Sequence, residues 1–321
     1  MKSSKPPFKL LFIMDAFENI GPDDTTVWLM TEAQNRGHHV YHCHPNHLAG
    51  SATEVYATVS EVGVDYRPHF VVKQQLKKFL KDFHCIWVRK DPPFDMQYLY
   101  LTYVLEPLIS ETLIINDPVG IRTNNEKLSI FNFPHWIPPS FVSALPDAIL
   151  RFQDKLKSDL VIKPLNQKGG TDITLIPLKS RSRRKTLYDL THHMTRSLIA
   201  QKFLSKVCEA GDKRILLLNG KFLGAFGRVP KKGDFLSNMS KGGTIKKVQL
   251  TVQEKKMIKE IKPYCRKQGL YLAGIDTIDN RLTEINVTSP AGIPEINSLC
   301  HTALETKVID WLEKKIRKRY R

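Results

Sequence analysis

The stretch Arg281-Leu-Thr-Glu-Ile-Asn-Val-Thr-Ser-Pro290 alternates polar and apolar residues. That is the period of a β-strand, on which Glu284 and Asn286 share one face. The run before it, Tyr271-Leu-Ala-Gly-Ile-Asp-Thr-Ile278, is another short apolar segment, and Asp279-Asn280-Arg281 has turn chemistry. The pair predicts a β-hairpin. A three-residue loop would set Asp276 directly opposite Glu284, whereas a two-residue loop would slip the register by one. In the first register Asp276, Glu284 and Asn286 form one oxygen-rich patch. Paired carboxylates repel unless a cation lies between them. Hard oxygen donors without Cys or His suit Mg²⁺, which keeps positions for water and phosphate. The plain alternative is a solvated strand face.

Other residues fit phosphate chemistry. Lys163 follows two apolar residues and precedes Pro164, with Gly169 and Gly170 close behind. A strand that ends in a lysine and then turns through glycines can aim an ammonium and backbone N–H groups at phosphate oxygens; a surface lysine beside a turn is the alternative. Lys127, after Asn125-Glu126, is a weaker candidate. Asp212 and Arg214, with Arg228 at the end of a later strand, could orient a carboxylate, or form a surface ion-pair network. His38, His39, His42, His44 and His47 surround Cys43. A zinc site there would lack its third and fourth ligands, so they read as polar residues at a strand end. No GxSxG, GxxxxGK[ST] or HExxH motif occurs, which leaves hydrolase, P-loop and zincin readings unsupported.

The elements that must hold these groups read as α/β followed by α+β. Lys9 to Met14 is a strand, and a helix from about Thr25 to Arg36 stops at Gly37. Val40 to Cys43, Cys85 to Val88 and Thr112 to Asn116 follow as strands, with Asp95 as the N-cap of an intervening helix. The order implies a parallel sheet. Asp15, Arg89, Lys90 and Asp91 sit after carboxyl ends of its strands, where such sheets hold ligands. A second region opens near Ile121 with a helix-like stretch at Asn125, then strands at Leu160–Pro164 and Ile173–Ile176. From about residue 200 come strands at Ile215–Leu218 and Phe222–Phe226. A Gly/Lys-rich loop at Pro230–Gly243 and a helix at Thr251–Gln268 precede the hairpin.

Bulk composition narrows the class. The chain has 321 residues, 41% hydrophobic and 25% charged, which suits two or three folded subdomains rather than disorder. No apolar run reaches the ~18 residues of a membrane span, and the basic N-terminus lacks a signal-type apolar region. Five scattered cysteines without CxxC spacing predict reduced thiols and a cytoplasmic setting. The net charge of +17 invites nucleic acid as a partner. No recognition motif accompanies it, so attraction of anionic small substrates accounts for it better.

Taken in order, "RKDPPFD" (89–95), "NEKL" (125–128), "GDKRIL" (211–216) and "RLTEINVTSP" (281–290) make the chain resemble bacterial glutathione synthetase of the ATP-grasp superfamily, over nearly its whole length. The resemblance implies an N-terminal pre-ATP-grasp domain (1–120), a central ATP-grasp subdomain (121–200) and a C-terminal subdomain with the metal site (201–321). It implies ATP and Mg²⁺, with Mn²⁺ as a substitute, and a homotetramer. Lys127 and Lys163 match lysines that contact ATP phosphates, with Gly169 and Gly170 in the turn beside them. Gln201, Lys202, Phe203 and Leu204 match the adenine hinge, and Asp276, Glu284 and Asn286 the Mg²⁺ ligands. Asp212, Arg214, Arg228 and Asn238 match the phosphate and catalytic region, and Asp15, Arg89 and Ser289 the substrate region. The implied reaction joins γ-glutamylcysteine to glycine through an acyl phosphate. Two departures stand out: Gln167-Lys168 where the family's turn is richer in glycine, and Leu236 where its mobile loop carries Arg. They leave open a divergent ligase with other substrates, or a non-catalytic paralogue, although the retained lysines and metal ligands argue against the last.

Overall fold

The computed structural model describes residues 6–21, 24–65, 70–167, 169–237 and 242–321. Lys9–Ile13 (β1), His39–Cys43 (β2), Cys85–Val88 (β6) and Leu113–Ile115 (β7) are nearly continuous apolar runs, the pattern of strands covered on both faces. They pair in parallel, β2–β1–β6–β7. Between β1 and β2 runs α1 (Thr25–Asn35). Asp24 caps it by accepting from the Thr26 N–H, and Gly37 at φ +85° follows its C-cap. Asp95 caps α2 (Met96–Leu105) through the Tyr98 N–H.

The first sheet is mixed rather than parallel throughout. Leu48–Gly50 (β3), Val55–Gly63 (β4) and Val71–Phe79 (β5) add an antiparallel segment beside β2. Within it β4 buries Val55, Ala57 and Val59 at alternate positions, whereas Lys73, Gln74, Gln75 and Lys77 leave β5 largely exposed.

The next sheet is antiparallel, in the order β10-β9-β11-β8: Ser140–Ser143 (β8), Leu160–Pro164 (β9), Thr174–Ile176 (β10) and Leu198–Lys202 (β11). Pro146–Leu156 (α4) and Arg183–Leu190 (α5) accompany it, after the short α3 (Pro118–Thr123). A division at 200/201 would cut through β11. No helix opens at Asn125. Its side chain accepts from the Lys127 and Leu128 N–H groups and makes a turn instead.

A third sheet, β14-β13-β12-β15-β16, comprises Asp212–Leu218 (β12), Lys221–Val229 (β13), Thr244–Lys247 (β14), Leu272–Ile278 (β15) and Arg281–Asn286 (β16). The short α6 (Val207–Ala210) precedes it, and α7 (Val252–Lys267) starts in a Thr251/Glu254 capping box. The last helices, α8 (Ile293–Cys300) and α9 (Leu304–Arg319), return to the first sheet. Leu304, Val308, Leu312 and Ile316 share one core with Phe8, Leu10, Phe12, Val27 and Met30. Arg36 fastens α1 to this helix through Asp310 (2.6 Å) and Glu313 (3.3 Å).

First and third sheets dock without a spacer. The Asn116 side chain donates to Leu272 and Val287 carbonyls (2.7 Å each) and accepts from the Leu272 N–H. A Cβ on Gly120 would lie 1.9 Å from the Gln268 carbonyl oxygen. Backbone meets backbone there, so neither side can yield by changing a rotamer. Gly120→Ala is expected to destabilise the fold by ~2 kcal/mol, read as a lower urea midpoint; an unchanged midpoint would show that α3 can move away from the end of α7 without cost.

Candidate active site

The hairpin that carries the carboxylates has a two-residue loop, Asp279-Asn280, both at positive φ (49° and 61°), as a type I′ turn requires. Such a loop alone would have misaligned Asp276. A bulge corrects it: Thr277 pairs with Leu282, Asp276 pairs with Glu284, and Thr283 is the extra residue. The Thr283 hydroxyl donates to the Asp276 carbonyl (3.1 Å). Gly274 opposes Asn286, so Asp276, Glu284 and Asn286 line one cleft.

Arginines surround the first carboxylate. Arg214, beside Asp276 on the neighbouring strand, donates to both its oxygens (2.5 and 2.9 Å). Arg228 reaches Asp276 Oδ2 (3.0 Å) and forks onto Asp212 (2.7 and 2.8 Å). Burial would raise the Asp276 carboxyl, but Arg214 and Arg228 overcome it and hold that group well below the carboxylate range. Asp212 goes the other way: burial lifts it, Arg228 only partly opposes, and Asp276 adds to the rise.

Glu284 accepts from Lys127 Nζ (3.1 Å), which also donates to the Gln167 carbonyl (2.6 Å). Burial disfavours the Lys127 charge, yet Glu284 and Glu126 hold its pKa above the usual value. Lys163, on β9, has no hydrogen-bond or ion-pair partner among the described residues. Burial pushes its ammonium down, with Glu284 opposing and Lys127 adding to the fall. A desolvated, unpaired cation lining a cleft is poised for an anion. Glu284 Oε2 and Asn286 Oδ1 are likewise without hydrogen bonds among the described residues. Two carboxylates and one carboxamide are a hard donor set that fits Mg²⁺. Among the described residues no trio of His, Cys, Asp and Glu converges as a softer metal centre.

The same cleft continues past Gly169 and Gly170 (φ +64° and +77°) to an apolar end walled by Val161, Ile173, Leu204 and Ile278. Gln201, Lys202, Phe203 and Leu204 form its far edge. The Lys202 and Phe203 N–H groups bond to Pro139 and Asp159 carbonyls, whereas the Leu204 N–H is uncommitted among the described residues. An apolar slot edged by a free backbone donor suits a nucleobase. Phe235, Leu236 and Ser237 cover the cleft, with the Phe235 ring edge-on to Phe203 at 5.9 Å. Asn238 and Lys168 lie outside the described residues.

Asp15 and Arg89 line a second cleft, at the carboxyl ends of β1 and β6. Arg214 Nη1 donates to the Ala291 carbonyl and Arg89 Nη1 to that of Pro290 (3.2 and 3.1 Å), so one loop separates the two clefts. Ser289, half-buried, sits in that loop and lines neither cleft. His38 accepts from the Phe8 N–H, and His42 pairs with the Asp15 carbonyl, which gives these two rings packing roles.

Some positioning residues escape a reading by residue type. Glu126 is half-buried, and its Oε1 accepts from the Val287 and Thr288 N–H groups and the Thr288 hydroxyl, fixing the loop after β16. Thr25 accepts from the Gly292 and Ile293 N–H groups and Thr26 from Arg89, which ties α1 to the same loop. Only the place of Glu126 within "NEKL" hinted at its role.

Residues 8–122 match the family model "prokaryotic glutathione synthetase, N-terminal domain" and residues 126–301 "prokaryotic glutathione synthetase, ATP-grasp domain". The chain is 36% identical over 306 residues to the glutathione synthetase of Prochlorococcus marinus subsp. pastoris, covering 95% of this chain and 98% of the relative. It is 38% identical over 295 residues to that of Bradyrhizobium diazoefficiens, covering 91% and 93%. Among solved structures, D-cycloserine synthetase DcsG superposes with a TM-score of 0.68 at 13% identity, covering 96% of this chain and 99% of that one. The ATP-grasp ligase PsnB with its minimal precursor, Mg and ADP superposes at 0.60 and 15% identity, over 96% and 98%. These two show a shared fold.

Proposed function

The chain belongs to the prokaryotic glutathione synthetase family and is an ATP-dependent carbon–nitrogen ligase, and on that premise we propose that its central cleft joins γ-glutamylcysteine to glycine. The observation that carries this reading is the convergence of Lys127, Lys163, Arg214 and Arg228 around a face bearing two carboxylates and a carboxamide. No side-chain nucleophile is required. The cysteinyl carboxylate attacks the γ-phosphorus of ATP and ADP leaves; the glycine amine then attacks the carbonyl carbon of the acyl phosphate, the C–O bond to phosphate breaks, and phosphate departs with the proton that the amine gives up. Asp276, Glu284 and Asn286 would hold Mg²⁺, which supplies charge neutralisation on the phosphates; Mn²⁺ would serve in its place.

Each residue of the chain then has a task. The Leu204 N–H and the apolar slot orient the adenine. Lys163 meets phosphate oxygens from one side and Lys127 from the other, while Glu284 keeps Lys127 charged. Arg214 and Arg228 face the oxygens on which negative charge grows, held in place beforehand by Asp276 and Asp212. Phe235 and Leu236 exclude water from an intermediate that water would hydrolyse.

The reading is tested by ADP release and product formation with γ-glutamylcysteine and a panel of amines. Glycine-dependent turnover is the expected result, and turnover only with another acid or amine would favour a divergent ligase. Leu236 on the covering loop is the observation behind that second reading, because the family resemblance places Arg there. Lys163→Met should raise the KM for ATP by roughly 10–100-fold, the loss of one charge-assisted contact to a phosphate. Lys168→Met should do far less; equal effects would misplace the phosphates.

A further inference from the structure

The loop over the central cleft buries a hydroxyl that the scheme above leaves unused. Ser237 is only 4% exposed and lines the cleft along with Asp212, Arg228 and Phe235. Its Oγ is out of contact with solvent and has no hydrogen-bond partner among the described residues. In water a serine hydroxyl always finds an acceptor, so burying one unpaired costs free energy, and a native site keeps it where a ligand completes it. The loop that carries it is built rather than slack. The Asp234 N–H donates to the Lys231 carbonyl (2.9 Å), and Asp234 Oδ1 accepts from the N–H groups of Phe235 (2.7 Å) and Leu236 (3.1 Å). Phe235 then meets Phe203 at the nucleobase edge of the cleft. Where the loop closes on itself, Val229 pairs with Thr244 and Arg228 with Ile245. The chain thus leaves from Arg228, touches the nucleobase edge at Phe235 and returns beside Arg228. Ser237 follows Phe235 by two residues, within ~7 Å of it along the chain, and so stands between the two ends.

We propose that the Ser237 hydroxyl donates to the phosphate chain of the bound nucleotide, at an oxygen beyond the α-phosphorus. The inference rests on the nucleotide half of the ligase reading above and is independent of which acid and amine are joined. Between the adenine slot and Arg228 a nucleoside triphosphate presents ribose and then phosphates. Ribose hydroxyls can donate as well as accept, whereas phosphate oxygens only accept. The serine has one O–H to give, and no acceptor among the described residues takes it. Lys163 and Arg228, lining the same cleft, mark this stretch as the one built for negative charge. The hydroxyl itself is neutral, and Leu236 beside it adds no charge where the family resemblance places Arg. This loop therefore holds the phosphates through a directional neutral donor, fixed in place by the Asp234 turn, and leaves the cationic contacts to Lys127, Lys163, Arg214 and Arg228.

The test measures binding of AMP, ADP and the non-hydrolysable triphosphate AMP-PNP to the full chain by calorimetry in Mg²⁺. Ser237→Ala should weaken AMP-PNP by roughly 10-fold, the loss of one hydrogen bond to a charged group, and leave AMP within about two-fold of the parent. Ser237→Thr, which keeps the hydroxyl, should retain most of the AMP-PNP affinity. ADP tells which phosphate is met: a loss equal to that of AMP-PNP places the bond on the β-phosphate, and an unaltered ADP affinity places it on the γ-phosphate. A structural role alone would weaken all three nucleotides in proportion, and that result, or no change in any of them, would overturn the proposal. Stability supplies a second check without nucleotide. Because the hydroxyl has no partner to lose, Ser237→Ala should leave the urea midpoint of the free protein unchanged or raise it. A lower midpoint would show that the hydroxyl is already bonded within the protein, and would also overturn the proposal. A parent chain that bound none of the three nucleotides would instead overturn the ligase reading.

Discussion

Glu284→Gln is expected to lower ATP-dependent ligation by roughly 10²–10³-fold, the range for removing one preorganised electrostatic partner, while the protein stays folded. Glu284 opposes Asp276 across the hairpin and is a carboxylate whose second oxygen is uncommitted among the described residues. Glutamine keeps the shape and leaves a carbonyl oxygen for Lys127, so packing is preserved. The charge lost is one of two that a hard divalent cation would need beside the phosphates. Lys127 would also lose its nearest counter-ion and carry its charge less readily. Two measurements check this: ADP release across a Mg²⁺ titration, and Mn²⁺ binding to the nucleotide-free protein by electron paramagnetic resonance. Parent-like ADP release together with unaltered Mn²⁺ binding would sink the metal assignment.

Arg228→Met should act mainly on the fold. Arg228 is 8% exposed and is the ion partner that Asp212 shares with Asp276. Removing one member of a buried ion network typically costs about 3–5 kcal/mol, because the partner charges remain buried. The pH dependence has a defined sign. Asp276 lies below its unfolded value, so its stabilisation is present above that value and lost as pH falls through the folded one. Asp212 lies above its unfolded value, so its contribution is present at low pH and lost as pH rises. Without Arg228, Asp212 has no cation in direct contact among the described residues, and its carboxyl should climb further. The stability gap between parent and variant should therefore be wider at pH 7 than at pH 5, by urea midpoints at each. A gap that is equal, or wider at pH 5, would show that Asp212 does not depend on Arg228.

Much of the site was legible because its residues belong to local patterns. Period-two alternation located the hairpin, and turn chemistry located its loop. The loop length alone was misleading: a two-residue turn reaches the Asp276–Glu284 register only through the bulge at Thr283, and alternation does not reveal a bulge. The apolar runs of β1, β2, β6 and β7 were readable, as were the caps of α1 and α2. The segment from Leu48 to Phe79 was not, because β5 is polar and exposed and lacks the apolar signal of a core strand. Side chains whose partners are remote in the chain were also illegible. Asn116 holds carbonyls more than 150 positions away, and Arg89 and Pro290 meet across 201 positions.

The packing of α9 bears on the order in which the molecule is built. The face of the first sheet that carries Leu10 and Phe12 is closed by Leu304, Val308, Leu312 and Ile316. A ribosome delivers β1 and α1 long before it delivers those residues. Until then, an apolar surface formed by the first 65 residues has no permanent cover. Chains usually fold their leading domain during synthesis. Here the first sheet waits for α9, and a nascent chain must be kept from aggregating until that helix has emerged.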